Sequence, residues 1–267
     1  VDRVAKDRRA GLAASVIAGL VCRMPSYYVN FGRYPQLAGQ VLLPVAIVAT
    51  VDACNREKGG WRSVLLAAFL VAGLGLTHYR VAIFYLASLV CVVVAASVRW
   101  RSSKRRLLDI GLRLLCMGLA ALVIVSPWLS PLVRMTISLA HQVASVSDGT
   151  QYDYVTLDLV RWAGLRTGML IASAIAAAWL LLRVGRWRLG ALVLLWLGVM
   201  TFLANPIVSG IPSGFLPNGT VILALYLPAS VLIGLATSDF LPGIPTKEPH
   251  RERNGARVSS FLFAAIL

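Results

Sequence analysis

The sequence predicts an all-α protein, a polytopic bundle of transmembrane helices. Of its 267 residues, 58% are hydrophobic and 14% are charged, whereas a soluble domain is typically about 45–50% apolar and about 25% charged. A soluble core could not bury this excess of apolar residues. In a bilayer, helices can satisfy their own backbone hydrogen bonds, and each span needs about 20 mostly apolar residues.

Apolar runs of about this length recur along the chain, and a ninth begins at Val258 and is unfinished. We therefore expect about eight spans plus a truncated ninth, in a single transmembrane domain covering residues 1–267. The chain begins at Val1 rather than Met and stops within "FLFAAIL", so we expect it to be a fragment of a longer protein. The eight complete runs lie at about 10–24, 37–51, 63–79, 81–98, 107–127, 166–182, 189–205 and 219–237.

Basic residues divide unequally between the two sides of the predicted bundle. With alternating spans, one side takes 20 of the 26 Lys and Arg residues and the other takes 6. Basic loops stay in the cytoplasm, which predicts a multi-pass protein of the inner (plasma) membrane with the N-terminal end of the chain cytoplasmic. The net charge of +15 follows from these basic loops, which orient the protein in the membrane. We therefore expect membrane lipids and no nucleic acid as partners.

The opposite, outer side has irregular and aromatic loops. The longest is predicted at about 127–168, and six of the eight tyrosines lie on this side. Long irregular loops carry function more often than short connectors do. Any function is therefore expected to face outward.

Arg33 lies in the first outer loop, within "YVNFGRYPQLAGQVLLP". Its guanidinium offers forked donors that suit phosphate, and Tyr28 and Tyr34 beside it are candidates for stacking on sugar rings. A second interpretation remains open, in which Arg33 and the aromatic residues form an interfacial anchor.

The second outer loop is the short turn "GLTHYR" at Gly75–Arg80, inside an otherwise uncharged stretch. Ionisable groups at such depth are costly and usually mark a functional cavity. His78 and Arg80 are close enough in sequence for one turn to direct both at a phosphate, and Tyr79 is a third candidate for sugar stacking. The alternative is that Arg80 snorkels to the surface and His78 caps a helix.

The long outer loop carries Asp148, Asp153 and Asp158, the only carboxylates predicted on that side. A general base or a divalent-metal ligand acting there would have to be one of them, although a solvated loop would have the same composition. The sequence contains no recognised nucleotide, zinc or serine-hydrolase motif. The four cysteines show no metal-ligand spacing, and we interpret them as small apolar residues.

The segment "MPSYYVNFGRYPQLAGQVLLP", followed by a basic inner loop and "THYRVAIFYL", resembles large bacterial membrane proteins similar to the GT-C superfamily. That superfamily consists of glycosyltransferases that use polyprenyl-phosphate sugars. The resemblance covers roughly residues 10–100 by motif and the rest by hydropathy. Its members use an acidic residue in the first outer loop, but the loop at 23–36 has no Asp or Glu, so no catalytic residue is carried over.

The resemblance implies an enzyme that transfers a sugar from a polyprenyl phosphate at the outer membrane surface, with Arg33, His78 and Arg80 facing the lipid phosphate. Two other classes of function remain open. A transporter or flippase of lipid-linked glycans would need ionisable groups near the middle of the bilayer. Such charges are scarce here, and Arg113, the only one clearly inside a run, is close to the cytoplasmic end of that run. The third class is a non-catalytic scaffold of the cell envelope.

Overall fold

A computed structural model describes residues 7–22, 24–30, 32–55, 60–146, 164–183, 187–203, 205–210, 216 and 218–238, and every regular element in these ranges is helical. The first helix continues as a π-helical turn at Ile17–Val21. The helices are α1 (Arg8–Val16), α2 (Met24–Asn30), α3 (Tyr34–Cys54), α4 (Trp61–Thr77), α5 (Tyr79–Trp100), α6 (Lys104–Val146), α7 (Leu165–Arg183), α8 (Trp187–Leu203), α9 (Pro206–Ser209), α10 (Asn218–Ala224) and α11 (Tyr226–Thr237).

The prediction of an all-helical fold is confirmed for these residues, and their apolar helices fit a membrane protein. Each of the eight complete apolar runs lies mainly within helical segments, and α10 and α11 follow each other in the last of them. Two apolar helices, Trp61–Thr77 and Gly190–Leu203, are shorter than a full span. Within the described ranges, five helices are long and apolar enough to cross a membrane, namely Tyr34–Cys54, Tyr79–Trp100, Lys104–Pro131, Leu165–Arg183 and Asn218–Thr237.

The outer loop predicted at 127–168 begins as helix instead. Helix α6 is 43 residues long and contains Pro127 and Pro131, at the point where the sequence predicts the span to end. A proline removes one backbone hydrogen bond and bends a helix, but continuing the helix keeps the other backbone groups bonded. At 1.5 Å per residue α6 is about 65 Å long, so it extends well beyond a hydrocarbon layer of about 30 Å.

Two groups of helices form the bundle. Helices α4 and α5 pack against α3, and α4 also packs against α6; α11 packs against α1 and α7. The contact between α1 and α11 requires Gly234, because a Cβ atom at this position would lie 2.7 Å from the carbonyl oxygen of Ala10 and 2.8 Å from the Cβ of Ala14. Small residues permit such close approach of membrane helices.

One end of the bundle is closed around Arg113, and we call it the Arg113 end. The Arg113 guanidinium donates to the carbonyl oxygen of Ala53 at 3.0 Å, pairs with Asp109 at 3.3 Å and lies 5.8 Å from the centroid of the Trp61 ring. A cation near the last carbonyls of α3 also interacts favourably with its helix dipole. These contacts join the end of α3, the start of α4 and the start of α6.

Candidate functional site

The opposite end of the bundle holds the start of α3 and the turn between α4 and α5, and we call it the His78 end. A Schellman motif positions Arg33 there: the Arg33 amide donates to the carbonyl of Tyr28 at 2.8 Å, and the Gly32 amide donates to that of Val29 at 3.1 Å. This motif needs a residue in the left-handed region, and Gly32 supplies it with φ +65°. Arg33 is then the N-cap of α3, with its side chain exposed.

His78 separates α4 from α5 as an extended residue at φ −164°. Its ring is parallel to that of Tyr79, with centroids 5.6 Å apart. Arg80 donates from Nε to the Tyr79 hydroxyl at 3.0 Å, and its guanidinium carbon lies 5.4 Å from the Tyr79 ring centroid. Tyr79 therefore contacts both neighbouring side chains, so in this conformation it supports His78 and Arg80 together.

The packing of α3 on α5 brings Arg33 towards this turn. A Cβ atom at Gly39 would lie 3.1 Å from the Val81 side chain, and further along both helices Val51 and Val92 belong to one apolar cluster. The two helices therefore run in the same direction and start at the same end of the bundle. Arg33 precedes Gly39 by about 9 Å of helix rise, which puts it near the level of the His78 turn.

Three of the predicted site residues thus share one electrostatic environment. Burial, followed by the positive charges of Arg80 and Arg33, lowers the pKa of His78 from 6.5 to about 4. His78 is therefore neutral near pH 7 and offers one donor and one acceptor. Its Nδ1 atom is buried and has no hydrogen-bond partner among the residues that the structure describes.

No carboxylate among the described residues neutralises this positive charge. The carboxylates in the described ranges are Asp7, Asp52 and Asp109, which lie at the start of α1, the end of α3 and the start of α6, all at the Arg113 end. Asp148, Asp153 and Asp158 lie outside the described residues. Within the part of the chain that the structure covers, no group of three or more His, Cys, Asp or Glu side chains could hold a metal ion.

The structure does not fit the predicted role of Tyr28 in sugar stacking. The Tyr28 side chain is 0% exposed, so it cannot present a ring face to an external ligand in this conformation. Its hydroxyl accepts hydrogen bonds from Gln40 at 2.9 Å and Gln36 at 3.4 Å. Tyr34 does remain accessible, at 60% exposed.

Sequence reasoning missed the polar network around Gln40. The Tyr226 hydroxyl donates to Gln40 Oε1 at 3.0 Å, so this one amide joins α2, α3 and α11. Both Gln36 and Gln40 are 1% exposed. Their spacing of four residues puts both on one face of α3, and two glutamines on one face of an apolar helix were the available signal.

A crevice opens beside this network, between the end of α1, the start of α7 and the last membrane-crossing segment. It is shallow: the space in it that a water-sized sphere can occupy is about 10 Å³. Its walls are mainly apolar, and Arg166 is the cation at its edge. The lining residues are Cys22, Arg166, Thr167, Leu170, Ile171, Ile222, Leu225 and Tyr226.

Comparison with known proteins identifies the family to which the chain belongs, but it does not indicate an activity. The model of DUF6541, a family of unknown function, matches residues 1–208, and the chain belongs to this family. No functionally curated protein and no solved structure matches the chain.

Proposed function

We propose that this member of the DUF6541 family is a membrane glycosyltransferase similar to the GT-C superfamily. It would act on polyprenyl-phosphate sugars at the outer face of the membrane, with the lipid phosphate bound by Arg33, His78 and Arg80. The observation that carries the proposal is the meeting of two arginines and a half-buried histidine at one end of the bundle, with no carboxylate among the described residues there.

The electrostatics favour an anionic ligand. Neighbouring like charges repel one another, and a cation with no carboxylate nearby among the described residues is stabilised by an anion. A phosphate at this end would accept hydrogen bonds from the guanidinium groups of Arg33 and Arg80, and its charge would relieve their mutual repulsion. His78, neutral near pH 7, would contribute a single hydrogen bond.

Two further features support a lipid carrier with a sugar attached. The crevice lined by Arg166 has mainly apolar walls, as a surface facing lipid chains would, and it is next to the Tyr226–Gln40 hydrogen bond that leads to the start of α3. Tyr34 is exposed beside Arg33 and is accessible to a sugar ring. A base or a divalent-metal ligand on this side would come from Asp148, Asp153 or Asp158.

The proposal includes a membrane layout. The protein would cross the inner membrane about eight times, with a ninth span beginning near Val258, and its N-terminal end would be cytoplasmic. The distribution of 20 basic residues against 6 supports the assignment of the Arg113 end to the cytoplasm and the His78 end to the outside.

Cysteine labelling in intact cells is expected to show that the two ends of the bundle lie on opposite sides of the membrane. In a chain whose native cysteines are replaced by alanine, a cysteine at Ser103 should react with a membrane-impermeant maleimide only after the cells are permeabilised. A cysteine at Ser147 should react without permeabilisation. Labelling of the Ser103 position in intact cells would reverse the orientation and remove the outer site.

Replacing Arg80 by alanine is expected to weaken the binding of undecaprenyl phosphate roughly ten- to a hundredfold, because a hydrogen bond to a charged group contributes about 1.5–3 kcal/mol. Arg80→Lys keeps the positive charge but lacks the paired donors of the guanidinium group, so a smaller loss of affinity is expected. The measurement is a titration of the purified protein in nanodiscs.

Arg183→Ala is the matched control for the Arg80 variants. It removes the same charge at the far end of α7, where Arg183 lies 5.0 Å from the Trp179 ring, and it should leave binding unchanged. Equal affinity of the wild type and Arg80→Ala, or no binding by the wild type, would contradict the phosphate site.

A further inference from the structure

The connection between α5 and α6, at the Arg113 end of the bundle, carries a dense positive charge. Five of the eight residues at 99–106 are Lys or Arg, and none of the eight is a carboxylate. The basic residues are Arg99, Arg101, Lys104, Arg105 and Arg106. Like charges this close repel one another, so this turn favours an anionic partner.

A short turn holds these cations together. Only three residues, 101–103, separate the end of α5 from the start of α6. The Ser103 amide donates to the carbonyl oxygen of Trp100 at 2.7 Å, and the Arg106 amide donates to that of Ser103 at 3.0 Å. The side chains of Arg101, Lys104 and Arg105 are exposed, so they are accessible to a ligand.

Trp100 orders two of the arginines. The guanidinium carbons of Arg99 and Arg106 each lie 5.0 Å from the centroid of the Trp100 ring, so the two carbons are within about 10 Å of each other. The ring in turn packs against an apolar cluster that includes Val51 of α3 and Ile110 of α6. Side chains that are already ordered lose less entropy when they bind a ligand.

The carboxylate that follows this turn in the sequence is engaged elsewhere. Asp109 pairs with Arg113 at 3.3 Å. Among the residues that the structure describes, no carboxylate forms an ion pair with Arg101, Lys104 or Arg105. Their positive charge is therefore available to an anion.

The surroundings of the turn favour a lipid as the source of this anion. The turn joins two helices that are long and apolar enough to cross a membrane, Tyr79–Trp100 and Lys104–Pro131. Beside the cations, Val98 on α5 and Leu108 on α6 are 70% and 74% exposed, which gives acyl chains an apolar surface. Tryptophan is common at the membrane–water interface, and clusters of four or more basic residues next to a span bind anionic lipids.

We propose that the turn between α5 and α6 is a binding site for an anionic phospholipid. Arg101, Lys104, Arg105 and Arg106 bind the headgroup phosphate, and the acyl chains lie along Val98 and Leu108. Membrane orientation requires only positive charge on this side, whereas a lipid site requires these cations at this turn. The site does not depend on the proposed glycosyltransferase activity, because it lies at the opposite end from Arg33, His78 and Arg80.

The test titrates the purified full chain in dodecyl maltoside micelles with phosphatidylglycerol and counts bound lipid by native mass spectrometry. Phosphatidylcholine, which has the same acyl chains and no net charge, should bind at least tenfold more weakly. Inorganic phosphate at the same concentration should not displace phosphatidylglycerol, since it lacks the acyl chains.

Two variants test the site. Changing Arg101, Lys104 and Arg105 together to glutamine should weaken binding of phosphatidylglycerol roughly a hundredfold, because three basic residues at the headgroup are lost. Trp100→Leu keeps every charge, and hence the orientation, but frees the two arginines that the ring orders. It should weaken binding about five- to tenfold, and it provides the test if the triple variant does not accumulate as folded protein.

A charge-matched control separates a site from general attraction to a positive surface. Arg62, Arg183 and Arg188 are exposed cations at the Arg113 end, at the ends of α4, α7 and α8. Changing these three together to glutamine removes the same charge from three separate places and should change the affinity by less than threefold. Arg80→Ala, at the opposite end, should leave the binding of phosphatidylglycerol unchanged.

The outcomes are distinct from those for the proposed function, which stands or falls with undecaprenyl phosphate. Equal binding of phosphatidylglycerol and phosphatidylcholine would overturn the lipid site, as would displacement by inorganic phosphate. Equal losses in the triple variant and its charge-matched control would reduce the turn to general electrostatics. A loss in Arg80→Ala and none in Trp100→Leu would move the bound lipid to the His78 end.

Discussion

Replacing Arg113 by alanine is expected to lower the free energy of unfolding by about 2–4 kcal/mol. Breaking a buried ion pair by removing one partner costs about 3–5 kcal/mol, and we reduce this range because Asp109 keeps 26% of its side chain exposed. The variant also loses the hydrogen bond to the Ala53 carbonyl and the contact with the Trp61 ring. Unfolding in mixed detergent micelles measures the difference.

Arg106→Ala is the control for this effect. Arg106 lies on the same helix and 5.0 Å from the Trp100 ring, but it is more exposed than Arg113, and an exposed cation–π contact contributes only about 0.5–1 kcal/mol. A loss no larger for Arg113→Ala than for Arg106→Ala would show that Arg113 does not hold α3, α4 and α6 together. Binding of undecaprenyl phosphate should survive in any folded fraction, because Arg113 is at the opposite end from the candidate site.

Replacing Gln40 by leucine is expected to lower the free energy of unfolding by about 2–4 kcal/mol. The Tyr226 hydroxyl would lose its acceptor and the Tyr28 hydroxyl its shorter hydrogen bond. A buried group left unsatisfied costs about 1–3 kcal/mol. Because the Arg33 amide bonds to the Tyr28 carbonyl, the same variant should also weaken binding of undecaprenyl phosphate.

Two companion variants test the network itself. Gln36→Leu removes only the longer contact of 3.4 Å and should cost less than Gln40→Leu. Adding Tyr226→Phe to Gln40→Leu should recover part of the lost stability, because an apolar pair leaves no hydroxyl unpaired. Strictly additive losses in the double variant would show that the hydrogen bond between Tyr226 and Gln40 contributes nothing.

Patterns that are local in sequence predicted the class of fold and much of the candidate site. Apolar runs predicted where the helices lie, because each span must satisfy its own backbone in the bilayer. The alternation of spans predicted that Arg33, His78 and Arg80 belong to one end of the bundle, and the packing of Gly39 on Val81 agrees with this. The phosphate-binding role of the three residues stays a prediction.

Only the tertiary structure determined which side chains are buried and which hydrogen-bond partners they have. Tyr28 looked like an exposed loop aromatic and is 0% exposed. Its partner Gln40 also bonds to Tyr226, which is 186 positions away from Gln40 in the sequence. In a soluble protein a polar face marks the outside of a helix. A membrane helix is apolar on the side facing lipid as well as on the side facing its neighbours, so the sequence alone does not show which face is buried.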